Sequence, residues 1–337
     1  MIEDMPGAPA QPGLTPDLIL RLATSFMATR YLMAAVDVGM FEALGDTVLD
    51  LDALAARVAV PGRTARICAD AMVALGLLER DGLLYRNGPA ADAFLSGRGP
   101  RDLRPFLRSM DRTYPAWAEF TEAIRTGQGP GYITRLDPED QRIYSAGVES
   151  VSAGSARALV ESYEFGQHRR LLDLGGGTGS FLVPILDRYP AIECGLFDLP
   201  PVVALAEEKL KAHKSDSRVQ FYGGDLLQDQ IPTGYDAFLL ANVVHIFTPE
   251  HNRDLLERLH ASAPSGARLL LVDFWTDPTH TQPFFAAIMA GQFLMSGGEG
   301  DVYSEDEIRD MLAATGWVMS GRRSLTGPAS LVVAERQ

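Results

Sequence analysis

Apolar positions between Asp17 and about Ser96 recur at steps of three and four residues: Leu18, Leu22 and Phe26, then Leu51, Leu54, Ala55 and Val58. That spacing is the repeat of helices that turn one face to a core. From Asp52 to Leu95 the pattern predicts a helix, a Pro61-Gly62 turn, a second helix over Arg63 to Leu78, and a hairpin. Asp81-Gly82 supplies the hairpin turn and Leu83-Leu84-Tyr85 one of its strands. The order is that of a winged helix. Asp102 to Gly129 is helical again, and Phe106, Met110, Tyr114, Trp117 and Phe120 fall on one stripe. Such a stripe serves as core or as one wall of an apolar pocket.

After about Gln167 the pattern changes to strands alternating with helices. The predicted strands are Arg170 to Leu174, Glu193 to Asp198, Val219 to Tyr222, Tyr235 to Ala241 and Arg268 to Phe274. Alternation of this kind builds a parallel, doubly wound sheet. The last two strands, Val318 to Arg323 and Ser330 to Ala334, flank Gly327-Pro328 and form an antiparallel hairpin at the sheet edge.

Composition narrows the function. A chain of 337 residues with 46% hydrophobic content holds about two packed domains. Its 30 basic and 44 acidic residues leave a net charge of -14, which repels nucleic acid and anionic membrane surfaces. The second helix of the winged helix carries Arg63 and Arg66 but is otherwise rich in Ala65, Ile67, Ala69, Ala71, Met72 and Leu75, with few long polar groups to read base edges. It reads as a packing and dimerisation module. The two cysteines, Cys68 and Cys194, form no C-x-x-C pair, so neither a disulfide framework nor a thiolate metal site is expected, and a reducing, cytoplasmic setting fits. No apolar run approaches the length of a membrane span. Residues 1–16 mix acids with four prolines and read as an arm, mobile or held by a partner subunit.

The chemistry gathers at strand ends. Leu171-Leu172-Asp173-Leu174-Gly175-Gly176-Gly177-Thr178-Gly179 runs from a strand into a glycine-rich turn and then a helix. Glycines let a ligand approach the backbone closely. The spacing is G-x-G-x-G rather than the dinucleotide pattern, and no phosphate-binding lysine motif follows. Asp198 ends the next strand, about 20 residues on, where an acid accepts both hydroxyls of a ribose. Asp225, in Gly223-Gly224-Asp225, lies past the third strand. Together they define a nucleoside site at the carboxyl edge of the sheet. Asp173 bonding turn amides and Asp225 capping a turn are the simpler structural alternatives.

These segments resemble the successive S-adenosyl-L-methionine motifs of the plant caffeate and acetylserotonin type of O-methyltransferases and their bacterial relatives in natural-product biosynthesis. The resemblance covers nearly the whole chain. It implies a Rossmann-like class I methyltransferase domain behind an N-terminal helical dimerisation domain. The implied layout is an arm (1–16), a winged-helix dimerisation domain (17–100), a helical connector lining the acceptor pocket (101–166) and a catalytic domain (167–337). Asp198 would hold the ribose, Asp225 and Leu226 the adenine, and Gly175, Gly177 and Gly179 the methionine part. Asp173 would support the turn, and Leu199 and Asn242 complete the cofactor set. The cofactor would leave as S-adenosyl-L-homocysteine, and the chain would act as a homodimer on a small, aromatic acceptor.

Methyl transfer to a phenol of pKa near 10 gains from a neighbouring base. Thr248-Pro249 opens a helix, which leaves Asn242 to Phe247 as the loop after the fourth strand. His245 in that loop matches the family's general base. Asp273 ends the adjacent fifth strand, about 4.8 Å away, where it would orient the imidazole, and it matches the first of two catalytic acids in the plant enzymes. Two positions depart from the family: Ile246-Phe247 replace the usual Asp-Trp, and the second acid aligns near Val302, with only Glu299 and Asp301 close by. Those losses keep methylation of carbon or nitrogen, or a non-methylating reaction, as alternatives, and a DNA-binding regulator as a remoter one. Trp117, Phe120, Phe285, Met289, Gln292, Phe293 and Met295 match segments that line the acceptor pocket in relatives. No metal site is expected.

Overall fold

The computed structural model describes residues 15–99, 101–213 and 216–337, so nearly all of the expected arm lies outside the described residues. The chain forms two compact units, Met1–Asp111 and Arg112–Gln337.

The first unit contains α1 (Asp17–Asp37), α2 (Met40–Leu44), β1 (Leu49–Asp50), α3 (Leu51–Arg57), α4 (Gly62–Ala74), β2 (Leu78–Asp81), β3 (Leu84–Asn87) and α5 (Pro89–Phe94). Its small antiparallel sheet has the order β1-β3-β2. Asp50 caps α3 by accepting from the Ala53 amide at 2.8 Å. The helix expected to reach Leu78 stops at Ala74, because Gly76 turns the chain at φ +73° and frees Leu78 to open β2. The short strand β1, which pairs with β3, carries no pattern long enough to read. Phe41, Leu44, Leu54, Met72 and Tyr85 form the core. By contrast α1 leaves Leu18, Ile19, Leu20, Leu22, Phe26 and Met27 exposed.

The expected stripe over Asp102 to Gly129 is broken. α6 (Arg104–Thr113) gives way to a 3-10 helix, Tyr114–Glu119, before α7 (Phe120–Thr126). Pro115 stands in the first turn of the 3-10 segment, where it cannot donate an amide to a continuous helix. The five side chains therefore do not share one helical face.

In the second unit follow a 3-10 turn (Tyr132–Arg135), α8 (Pro138–Ser162), β4 (Arg170–Leu174), α9 (Leu182–Arg188), β5 (Glu193–Asp198), α10 (Pro200–Lys211) and β6 (Val219–Gly223). Then come β7 (Ala237–Ala241), α11 (Pro249–Ser262), β8 (Arg268–Phe274), α12 (Phe284–Gly297), α13 (Glu305–Ala314), β9 (Trp317–Ser324) and β10 (Ala329–Arg336). The sheet order is β6-β5-β4-β7-β8-β10-β9, parallel through β8, with β10 inserted antiparallel between β8 and β9. The expected edge hairpin is this β9–β10 pair.

Strand β8 shows why the sheet is covered on both sides. Leu269 and Leu271 join the core under α11 and α13, while Leu270 and Val272 join the one under α8, α9 and α10. Successive strand residues point to opposite faces, so a run of leucine and valine needs helices above and below. Truncating one of these side chains to alanine costs about 2–5 kcal/mol. The polar ends of β4, β5, β7 and β8 are thereby held at one edge. Among the described residues no helix is long and apolar enough to cross a membrane.

Candidate active site

The turn after β4 is held by backbone. The Gly175 and Gly176 amides donate to the Phe197 carbonyl at 2.8 and 3.3 Å. Asp198 then clips the turn to the start of α10: one carboxylate oxygen accepts from the Gly177 amide at 2.8 Å and the other from the Leu199 amide at 2.7 Å. Each oxygen keeps acceptor capacity for a ribose hydroxyl. Burial raises the Asp198 pKa, opposed by those two amides. Gly177, at φ +55°, has open space where a Cβ would project, whereas a Cβ at Gly175 would meet Val243 at 2.6 Å.

Asp173 does not bond the turn amides, the simpler alternative for it. Its carboxyl is buried and neither oxygen has a hydrogen-bond partner among the described residues. Burial, and then the charge of Asp198, push its pKa up to about 8. A buried polar group without a partner is costly, and this one lines a cavity of about 380 Å³. A cationic ligand there would supply the missing partner. Gly179 has a different place: a Cβ on it would strike Leu210 at 2.9 Å, and it does not line the cavity. It is the close-packing glycine between turn and helix.

The cavity unites the other cofactor candidates, Asp173, Gly175, Gly177, Asp198, Leu199, Asp225, Leu226 and Asn242. Asp225 both lines it and caps a turn, accepting from the Leu227 amide at 2.9 Å and the Gln228 side chain at 2.8 Å. Asn242 sits at φ +60°, its amide donating to the Val272 carbonyl at 2.8 Å and its side chain to Ser152 at 3.3 Å. Asparagine tolerates this left-handed conformation better than most residues. The opposite wall comes from α8, in the connector expected to line the acceptor pocket, though the sequence singles out no residue of that helix. Gln141, Tyr144, Ser145, Val148, Glu149 and Ser152 of α8 line it, at the spacing of one helical face. Glu149 also accepts from Thr178 at 3.1 Å and pairs with Lys209 at 2.6 Å, tying α8 to the turn. The signal for this wall was periodicity alone.

His245 lies in a 3-10 turn directly after β7 and is 7% exposed. Its Nδ1 is 2.6 Å from Asp273 Oδ1, and its own amide donates to the other carboxylate oxygen at 3.3 Å. Asp273 is buried and also accepts from the Phe274 amide. An acceptor on Nδ1 assigns the proton to that nitrogen and leaves Nε2 with a lone pair. Phe293 stacks on the imidazole with centroids 3.5 Å apart.

Six of the seven acceptor-pocket candidates fall into two groups, and none of the seven lines the 380 Å³ cavity. Phe285 and Phe293 cluster with Phe274 around His245, and Met289 packs against them. Trp117 and Phe120 stack at 5.0 Å, with Trp117 donating to Gln292 at 3.2 Å and Gln292 to Tyr132 at 2.6 Å. Met295 is fully buried and belongs to packing. Neither acid near Val302 bonds His245: Glu299 pairs with His251 at 2.5 Å, and Asp301 accepts from the Val302 amide. Among the described residues no cluster of three or more His, Cys, Asp or Glu side chains is arranged to hold a metal ion.

A doubly wound sheet with its own antiparallel β9–β10 pair, a glycine turn and a ribose-type acid at adjacent strand ends define a class I, S-adenosyl-L-methionine-dependent methyltransferase. Residues 118–318 match the O-methyltransferase domain and residues 20–97 the O-methyltransferase dimerisation domain, so the chain belongs to the O-methyltransferase family. It is 30% identical to the tetracenomycin polyketide synthesis 8-O-methyl transferase TcmO of Streptomyces glaucescens, over 95% of this chain and 97% of that one. It is 32% identical to the N,N-dimethyltransferase OxyT of Streptomyces rimosus, over 78% of this chain and 79% of that one. Among solved structures, PigF with SAH superposes with a TM-score of 0.86 at 28% identity, covering 96% of this chain and 100% of that one.

Proposed function

We propose that this O-methyltransferase, as a homodimer, methylates a phenolic oxygen of a small aromatic natural-product intermediate, with His245 as general base and Asp273 as its orienting acid. The observation that carries the reading is the 2.6 Å His245–Asp273 contact at the strand edge that also bears the cofactor cavity. S-adenosyl-L-methionine supplies an electrophilic methyl group on a sulfonium. Asp198 holds its ribose, Asp225 and Leu226 its adenine, and Asp173 and the Gly175–Gly177 turn its methionine end, with Leu199 and Asn242 beside them.

His245 Nε2 takes the proton of the acceptor hydroxyl as the oxygen attacks, and the imidazolium so formed is stabilised by Asp273. Phe293, Phe274 and Phe285 keep water from the ring and offer flat apolar surface to an aromatic acceptor. The role of TcmO in polyketide synthesis supports that acceptor class. The exposed apolar side chains of α1 support a dimer, since surface of this kind marks interaction sites. The unpaired thiols of Cys68 and Cys194 suit a reducing cytoplasm.

The test is turnover of labelled cofactor against a panel of phenols. Normal rates for His245→Ala would remove the base assignment. A Phe26→Glu chain that still runs as a dimer in light scattering would remove α1 from the interface. Transfer to nitrogen is a second reading, favoured by the identity with OxyT. Mass analysis of products from matched phenol and aniline acceptors separates the two.

A further inference from the structure

The cavity is lined with charge of one sign. Among the described residues its ionisable groups besides Tyr144 are Glu149, Asp173, Asp198, Asp225 and Glu299, and no described lysine, arginine or histidine lines it. Four of these acids belong to the cofactor end. Glu149 is tied to Thr178 and Lys209, Asp198 spans the glycine turn, Asp225 caps its own turn, and Asp173 stands buried and unpartnered beneath.

Glu299 comes from a different loop, after α12. It lines the cavity with Ile246, Phe247 and Gly297, in the loop whose Asp301 amide donates to the His245 carbonyl at 3.0 Å. One of its oxygens is held by His251 at 2.5 Å, and the other has no hydrogen-bond partner among the described residues. Arg135, which follows the lining residues Ile133 and Thr134, is exposed and does not line the cavity.

We propose that the Glu299 end of this cavity, beside the loop of His245, selects acceptors that bring no negative charge, namely neutral phenols or phenols carrying a basic amine rather than aryl carboxylates, and that Glu299 receives a hydrogen-bond donor of the acceptor. The inference rests on the methyl-transfer reading above. The cofactor itself is net positive, because its carboxylate is offset by an ammonium and a sulfonium. An acceptor carboxylate would lose its water beside Glu299 with no cation in the lining to replace it, a penalty compounded by like-charge repulsion. An amine or hydroxyl meets a carboxylate already fixed by His251.

The probes are para-hydroxybenzoic acid, its methyl ester and para-hydroxybenzylamine. Binding of each to the full-length protein loaded with S-adenosyl-L-homocysteine is read by calorimetry, and steady-state turnover is read separately with S-adenosyl-L-methionine. The ester and the amine should bind at least about 10-fold more tightly than the acid. E299Q should weaken the amine several-fold and narrow the gap between acid and ester, and E299R should reverse the preference, all with S-adenosyl-L-homocysteine affinity unchanged.

Acid and ester binding alike would overturn the charge selection. An E299Q protein that loses S-adenosyl-L-homocysteine affinity while keeping its acceptor affinities would assign Glu299 to the cofactor and overturn its acceptor role. Selective binding of ester over acid without turnover of any probe would support the charge selection and count against the methyl-transfer reading alone.

Discussion

The end of the site proposed for the cofactor is built largely from backbone, and the end proposed for the acceptor from side chains that meet only in the folded chain. At the first, the Phe197 carbonyl and the Gly175, Gly176, Gly177 and Leu199 amides do the holding, with Asp198 as the one side chain that joins them. At the second, His245, Asp273, Phe274 and Phe293 come from three separate elements and depend on one another for orientation. Backbone geometry tolerates change in neighbouring side chains. A cluster of side chains does not, so reaction and acceptor preference should vary there while the cofactor site stays constant.

The sharpest way to break this contrast is His245→Ala. It should lower kcat about 10²- to 10⁴-fold while the Kd for S-adenosyl-L-homocysteine, read by calorimetry, stays within about twofold of the parent. A comparable loss in both would mean the two ends are one coupled unit.

Next in size is Asp198→Ala, which strands two amides and removes the proposed ribose acceptor. Affinity for S-adenosyl-L-homocysteine should fall about 100-fold or more, at about 1.5–3 kcal/mol for each bond to a charged group. Retained affinity would show that the turn alone suffices. Phe293→Leu keeps an apolar contact but loses the stack on His245, and kcat should drop about 10-fold without a change in cofactor KM.

The remaining test is a slope with pH rather than a fixed loss, and it concerns Asp173. Its pKa is raised to about 8 by burial, so the cofactor-free folded chain keeps a proton that the unfolded chain releases near pH 4. The proton-linked stability from this group is therefore greatest below about pH 4 and falls as pH rises toward 8. Asp173→Asn removes that slope. Thermal melts should show the variant gaining on the parent by at most about 1.4 kcal/mol per pH unit between pH 5 and 8, and added cofactor should narrow the gap. Parallel melting curves across this range would mean that Asp173 is not held in its neutral form.

Much of this arrangement was legible before folding. The glycine turn and Asp198 are short, local signals, and the strands that carry them are apolar runs bounded by turn residues. The His245–Asp273 pair followed from strand order, which β7 and β8 obey as neighbours. The α8 wall was not legible, because Gln141, Tyr144, Ser145 and Val148 carry no spacing that distinguishes a cavity face from any amphipathic helix. The break at Tyr114 had a signal in Pro115, outweighed in the reading by an aromatic repeat that the chain does not keep on one face.

The same division runs through the acids. Asp173 and Glu299 are equally visible as letters, yet one turned out to be an unpartnered carboxyl inside the cavity and the other a partner of His251, 48 residues away in the chain. By itself the sequence determined the helical first unit, the wound sheet and the turn with its ribose acid, since each depends on neighbours a few residues apart. Only the tertiary structure decided which helix walls the cavity, which aromatic covers His245 and where the cavity's charge lies. Those outcomes depend on desolvation and on contacts between segments far apart in the chain, and no local pattern encodes either.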